Sequence, residues 1–239
     1  MTMIKLYSFG ANFGVADPSP YVLKVDVYMR MADIEFTSIP DVKNLQKAPK
    51  GKLPFITDGN TTIADSQFII GYLQEKFNVT LDAHLSAEQK SVAHLIGKSL
   101  DENLYWCLIY SRWIADDTWP QIKQAFFGSM PFPLNKIVPI LARRDVISAA
   151  HKQGIGRHSA EEITIITRET LQALSILLGK KTYFFGENPS TFDATAFAFL
   201  SQLTLVSIEN DFTKLAHEYS NLVAYCENIQ VKYYSELSL

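Results

Sequence analysis

The chain has 239 residues, 47% hydrophobic and 20% charged, which is ordinary globular composition and enough for one large domain or two small ones. A net charge of −3 excludes a broad nucleic-acid surface, because phosphate binding needs clustered lysine and arginine. Cys107 and Cys226 are too few and too far apart for a zinc motif or a disulfide framework and read as inert buried thiols, and the five histidines show no metal-ligand spacing.

The opening "MTMIKLYSFG" lacks a long apolar h-region, and "ATAFAFLSQLTLVSI" is interrupted by Ser, Gln and Thr and is too short to span a bilayer. The expectation is a soluble, cytoplasmic protein with no membrane span. "MIKLYSF" reads as a strand. A loop rich in Gly, Asn, Asp and Pro follows to Pro18. From Pro20 the spacing of Val22, Val25, Met29 and Ala32 predicts a helix. "IEFTSIP" reads as a second strand and "DVKNLQKAPKGK" as a short polar helix or loop. "LPFITD" and "TTIAD" pair across Asp58-Gly59-Asn60, a hairpin signal. Phe68, Ile69, Tyr72, Leu73 and Phe77 then mark an amphipathic helix.

From Ala87 onward no strand is expected. Helices are predicted at about 86–116, 119–127, 133–153, 158–180, 190–208 and 212–233, with Ile163, Ile166, Thr170, Leu174 and Leu177 as the apolar face of the fourth. "GIGRHS" lacks the third glycine and the preceding strand of a dinucleotide fingerprint and is discarded. The sequence thus joins a small α/β domain, residues 1–80, to an all-helical domain, residues 86–239.

This order, with "LPFI", "IADS" and "NPSTFDATAFAFL" at their places, resembles the glutathione S-transferase superfamily. There "LPFI" corresponds to a Val/Leu-Pro pair opening the third strand, "IADS" to an acidic-Ser pair opening the third helix, and "NPSTFDA" to a Ser/Thr-x-x-Asp capping box. "PSPYVLKVDVYMRMADIEF" is most similar to the omega and glutaredoxin-like branch and to the metaxin and failed-axon-connections relatives. The resemblance implies a thioredoxin-like N-terminal domain followed by an all-α domain, glutathione as co-substrate, and a homodimer.

It also implies roles for single residues. Leu53-Pro54 is expected to be cis, turning the Leu53 N–H and C=O toward the backbone of a peptide ligand. Asp65 and Ser66 read by themselves as a helix N-cap. With the resemblance, the same helix start holds the γ-glutamyl end, Ser66 taking its carboxylate and Asp65 its amino group. Ser19-Pro20 is a capping signature too. Functionally, the Ser19 hydroxyl would stabilise the glutathione thiolate, whose parent thiol has an unperturbed pKa of about 8.5. Tyr7, at the end of the first strand, is the runner-up for that role. Serine at position 19 excludes thiol–disulfide exchange there.

Lys43, Gln46 and Lys52 lie in the segment that would face the glycyl carboxylate, and Lys52 is the choice among them. Trp106, Tyr110 and Trp113 share a helical face by spacing. They form either core or dimer packing or the wall of an apolar substrate pocket. Ser190 and Asp193 are read as structural. Two functions follow: a transferase joining glutathione to an apolar electrophile, or a non-catalytic glutathione-binding or protein-interaction module of the same fold.

Overall fold

The computed structural model describes residues 3–235; the outermost bounds of the two expected domains, residues 1–2 and 236–239, lie outside the described residues. Strands β1 (Ile4–Ser8), β2 (Phe36–Pro40), β3 (Phe55–Asp58) and β4 (Thr61–Ala64) form one sheet in the order β2-β1-β3-β4. β1 and β2 run parallel, joined by the crossover helix α1 (Pro20–Met31), as a parallel pair requires. β3 runs antiparallel to both β1 and β4. The β3–β4 hairpin closes where Asp58 faces Thr61, with Gly59 supplying a positive φ of 57° in the turn. α2 (Asn44–Lys47) and α3 (Ser66–Phe77) complete this part.

α1 lies buried along almost its whole length. One side packs under the sheet and on α3, and the other packs on the helical part, chiefly on α9 (Thr191–Thr204), so a single apolar core runs through both. Two charges inside α1 are therefore paired across the fold. Lys24 reaches Asp101 at 3.3 Å, and Asp26 accepts from Arg30 and from the Tyr234 hydroxyl. Burial pulls the Lys24 ammonium below its usual range, and the Asp101 carboxylate opposes that pull.

After residues 78–86 the chain is helical. α4 (Ala87–Ser99) passes through a π-helical turn (Leu100–Leu104) into α5 (Tyr105–Ile109) and a second π-helical turn (Tyr110–Ile114). α6 (Trp119–Phe127), α7 (Leu134–Gln153), α8 (Ala160–Leu178), α9, α10 (Asp211–His217) and α11 (Ser220–Tyr233) follow. Among the described residues beyond Ala64 the sole β pairing is an isolated bridge between Tyr183 and Gly186.

Several expectations are corrected. The helix expected at 86–116 is interrupted by the two π turns. The one expected at 190–208 stops at Thr204, and that at 212–233 is two helices. Asn210 opens the first of these with a full capping box to Thr213. In α8 the buried face is Ile163, Thr167, Leu171, Leu174 and Leu178, one position beyond the expected Ile166, Thr170 and Leu177, which are half-buried. In α3, Ile70 rather than Phe68 turns inward, and Phe68 is 61% exposed. The expected cis bond at Leu53-Pro54 is present, and Phe132-Pro133 is a second.

Asp193 anchors the start of α9, its carboxylate accepting from the N–H and hydroxyl of Ser190, the N–H of Phe184 and the Tyr225 hydroxyl. The expected capping box between Ser190 and Asp193 is present, and the Ser190 hydroxyl also donates to the Asp193 carboxylate at 2.6 Å. Cys107 and Cys226 are buried free thiols; burial raises both, Cys226 to about 12. Among the described residues no cluster of metal-ligating side chains occurs, and no helix is long and apolar enough to cross a membrane.

Candidate functional site

A cleft of about 450 Å³ opens between the C-terminal end of the sheet and the helical part. Its sheet side is made by Phe9, Ser19, Tyr21, Lys52, Leu53, Pro54, Asp65 and Ser66, with Leu45 and Lys50 at its edge. Its helical side is made by Lys98, Asp101, Glu102, Tyr105 and Trp106.

The start of α3 is positioned by backbone bonds. The Asp65 N–H donates to the Pro54 carbonyl at 3.3 Å, tying the helix start to the head of β3. Asp65 sits at φ 85°, a costly conformation for a residue with a Cβ, and its carboxylate accepts from the Gln67 N–H at 3.0 Å. The cap on Gln67 leaves Ser66, the first residue of α3, to present its N–H and hydroxyl at the positive end of the helix. Lys50 approaches Asp65 at 3.9 Å and lies over the Phe68 ring, a loose and exposed pair. Leu53 lies outside the ladder, so its N–H and C=O are open to a ligand's backbone.

Ser19 caps α1, but its hydroxyl accepts from Val22 N–H at only 3.4 Å, the weak end of the hydrogen-bond range. The loop that carries it closes on the carboxylate of Asp17, which accepts from the N–H groups of Phe9, Gly10 and Ser19 at 2.8, 3.0 and 2.8 Å. Gly10 is required there: its φ is 92°, and a Cβ would stand 2.8 Å from that of Pro40. Burial drives the Asp17 carboxyl up to about 8, against the pull of those three N–H groups, and Asp26 pushes the same way.

Tyr21 donates to the Asp101 carbonyl at 2.7 Å and packs against Tyr105 at 4.9 Å. Burial raises both phenols above their ordinary range. The Tyr105 hydroxyl has no hydrogen-bond partner among the described residues, and Tyr105 lines the cleft.

Of the residues singled out from the sequence, Ser19, Lys52, Leu53, Pro54, Asp65, Ser66 and Trp106 line this one cleft. Three do not. Tyr7 stacks on Phe55 at 4.1 Å along the sheet. Tyr110 packs toward Phe212, and Trp113 joins Trp119, Phe126 and Phe127. Trp113 leaves the ideal helical period set by Trp106 because the π turn at Tyr110–Ile114 winds fewer degrees per residue. Trp113 still backs the cleft at one remove, because Phe126 lies between it and Phe9. Lys43 and Gln46 are not in the cleft wall; Leu45 and Lys50 are, from the same segment. Sequence reasoning also missed Tyr21 and Tyr105. The signal for both was an aromatic beside a residue that had been noticed, Pro20 and Trp106.

A family model for the glutathione S-transferase N-terminal domain matches residues 20–119, and one for the C-terminal domain matches residues 167–229. An isoprene-epoxide glutathione S-transferase from Rhodococcus sp. (strain AD45) is 33% identical, over 97% of this chain and 99% of that protein. Failed axon connections from Drosophila melanogaster is 35% identical over 86% of this chain, which spans about half (51%) of that protein. Metaxin-2 from Homo sapiens is 26% identical over 90% of this chain and 82% of that one. Among solved structures, a glutathione S-transferase III in apo form has a TM-score of 0.60 at 18% identity, covering 100% of this chain and 98% of that one. The β-etherase LigF from Sphingobium sp. strain SYK-6 has a TM-score of 0.62 at 17% identity, covering 99% and 100%. At those identities the structures speak for the fold, a thioredoxin-like domain followed by a helical one.

Proposed function

The chain belongs to the glutathione S-transferase family, and we propose that it is a transferase that ionises the glutathione thiol and delivers it to a small apolar electrophile. The observation that carries this reading is the meeting, in one cleft, of the Ser19 hydroxyl, the open helix start at Ser66 and an aromatic wall at Tyr105 and Trp106.

In this reading the γ-glutamyl carboxylate takes the N–H and hydroxyl of Ser66, where the helix dipole favours an anion. The amino group displaces the loosely held Lys50 from Asp65. The cysteinyl backbone pairs with Leu53, and Lys52 faces the glycyl carboxylate. That pose brings the sulfur toward Ser19, whose O–H stabilises the thiolate while the thiol proton leaves to solvent.

The 33% identical relative acts, by its name, on an isoprene epoxide, which supports a small epoxide as the electrophile here. The thiolate would attack one epoxide carbon; the C–S bond forms, the C–O bond breaks, and the electron pair moves to oxygen. The Tyr105 hydroxyl, which has no hydrogen-bond partner among the described residues, is the donor we assign to that oxygen. We also propose a homodimer, supported by exposed apolar side chains on neighbouring helices, Phe68 on α3 and Leu95 on α4, 61% and 69% exposed.

The test is calorimetric titration with glutathione, then a conjugation panel including small epoxides and aryl halides. A folded protein that binds no glutathione overturns the reading. Binding without turnover of any electrophile makes it a glutathione-binding module of the same fold.

A further inference from the structure

We propose that Asp17 is the positioning residue for the thiol end of the cleft, acting on Ser19 through the main chain, and that Arg112 and Gln202 make this positioning depend on the helical domain. The inference rests on the role given to Ser19 above.

Asp17 is 2% exposed and forms no ion pair among the described residues. Its Oδ2 accepts from Phe9 and Gly10, at the exit of β1, and its Oδ1 accepts from Ser19, at the entrance of α1. One carboxylate therefore draws together the two ends of the loop that carries Ser19. From the other side, Gln202 of α9 donates to the Asp17 carbonyl at 3.0 Å, and Arg112 donates to the Pro18 carbonyl at 2.9 Å. Arg112 is itself held by the backbone carbonyl and side-chain oxygen of Gln202, at 2.9 and 2.8 Å.

Arg112 also lies buried without an acidic partner among the described residues, and its guanidinium is pulled down to about 10 by burial. A buried carboxyl group and a buried guanidinium thus flank the turn Asp17-Pro18-Ser19, held by main-chain groups and by Gln202 rather than by each other. A loop that needed only to be closed could be closed without burying either group. What this arrangement secures is the direction of one peptide. With the Ser19 N–H fixed on Asp17, its side chain makes only a long cap bond and keeps its O–H for the cleft.

Asp17→Asn tests this at little change of shape. Both carboxylate oxygens accept N–H groups, so the amide NH₂ must meet one donor set. Keeping its oxygen on the Phe9 and Gly10 pair turns the NH₂ on Ser19. Gln202→Met, which removes the contact to the Asp17 carbonyl from the helical side, is the second variant in case Asp17→Asn does not fold. The measurements are amide hydrogen exchange across residues 9–19, glutathione affinity, and thiolate absorbance of bound glutathione against pH, with Ser19→Ala alongside.

We expect faster exchange confined to residues 9–19, an unchanged glutathione Kd, and a bound-thiol pKa raised by at least half the shift that Ser19→Ala produces. Unchanged exchange overturns the clamp. A loosened loop with a wild-type thiol titration, while Ser19→Ala shifts it, overturns the positioning role and leaves Ser19 standing. A flat titration in Ser19→Ala removes the reading of Ser19 and this inference with it.

Discussion

On the sheet side of the cleft the groups assigned to the γ-glutamyl and cysteinyl parts are main-chain atoms and short polar side chains at the ends of elements: Leu53 before β3, Asp65 and Ser66 at the start of α3, Ser19 at the cap of α1. On the helical side they are long side chains, Lys98, Asp101, Tyr105 and Trp106, set around a π turn within one continuous helical run. A wall of backbone groups suits a ligand with a constant peptide backbone. A wall of side chains on an irregular helix can be rebuilt residue by residue without touching the fold, which suits a variable second substrate. The difference assigns affinity for glutathione to one side and choice of electrophile to the other.

The largest effect should come from cutting the tie between the walls. Lys24 lies on the sheet side of that tie and Asp101 on the helical side, both nearly buried. Lys24→Met leaves Asp101 with the partly exposed Lys98 at 3.8 Å and should cost about 3 kcal/mol or more, since removing one member strands the other charge. Chemical denaturation measures this. A loss below about 1 kcal/mol, the range of a surface pair, would mean that this ion pair adds little to what holds the walls together.

The sheet wall was legible in the sequence because its signals are local. Ser19-Pro20, Leu53-Pro54 and Asp65-Ser66 each announce a helix start or a strand head through residues that constrain their own backbone. The helical wall was not, because its geometry depends on register over many residues. Two π turns, which no residue type announces, turned Trp113 away and left Tyr105 in the cleft. The pairing of Lys24 was illegible for another reason: its partner Asp101 lies far along the chain, as does the Tyr234 hydroxyl that joins Arg30 on Asp26. The split of the last predicted helix needed the Asn210 cap and a break near Glu218 and Tyr219 that apolar periodicity passes over.

Next in size are the two serines of the sheet wall, which should separate binding from activation. Ser66→Ala should weaken glutathione binding by about 1–2 kcal/mol, the loss of a charge-assisted hydrogen bond, with the thiol pKa of whatever still binds unchanged. Ser19→Ala should do the reverse. Affinity should hold, while the bound thiol pKa rises by about one unit, a roughly tenfold loss of thiolate below that pKa. Calorimetry and thiolate absorbance read the two quantities independently. If both substitutions move both quantities alike, the wall works as one unit and the assignment of separate roles is wrong. Melting curves must accompany the Ser19 variant, because a lost cap costs about 0.5–2 kcal/mol by itself.

The smallest effect, and the one that tests the helical wall, is expected from Tyr105→Phe. The substitution removes one hydroxyl that bonds to no other described residue and leaves the ring against Tyr21 and Trp106, so folding and glutathione affinity should stay as they are. Only reactions that leave negative charge on an oxygen near that hydroxyl should slow, by about tenfold, less than the roughly 10²–10⁴-fold that a fully engaged proton donor contributes. Epoxide opening is such a reaction and aryl-halide substitution is not, so the ratio of the two rates should fall in the variant. The pH profile carries a sign that can be worked out beforehand. The thiolate is the reactive form, so the rate rises as pH passes the bound thiol pKa. Burial raises the Tyr105 phenol above its ordinary value of about 10, so it remains an O–H donor throughout that rise. The wild-type profile should therefore climb and level off, with no falling limb below about pH 10. A falling limb near neutral pH, or an equal loss with epoxide and aryl halide, would show that Tyr105 shapes the pocket without donating to the product oxygen, and that the helical wall selects its electrophile by fit.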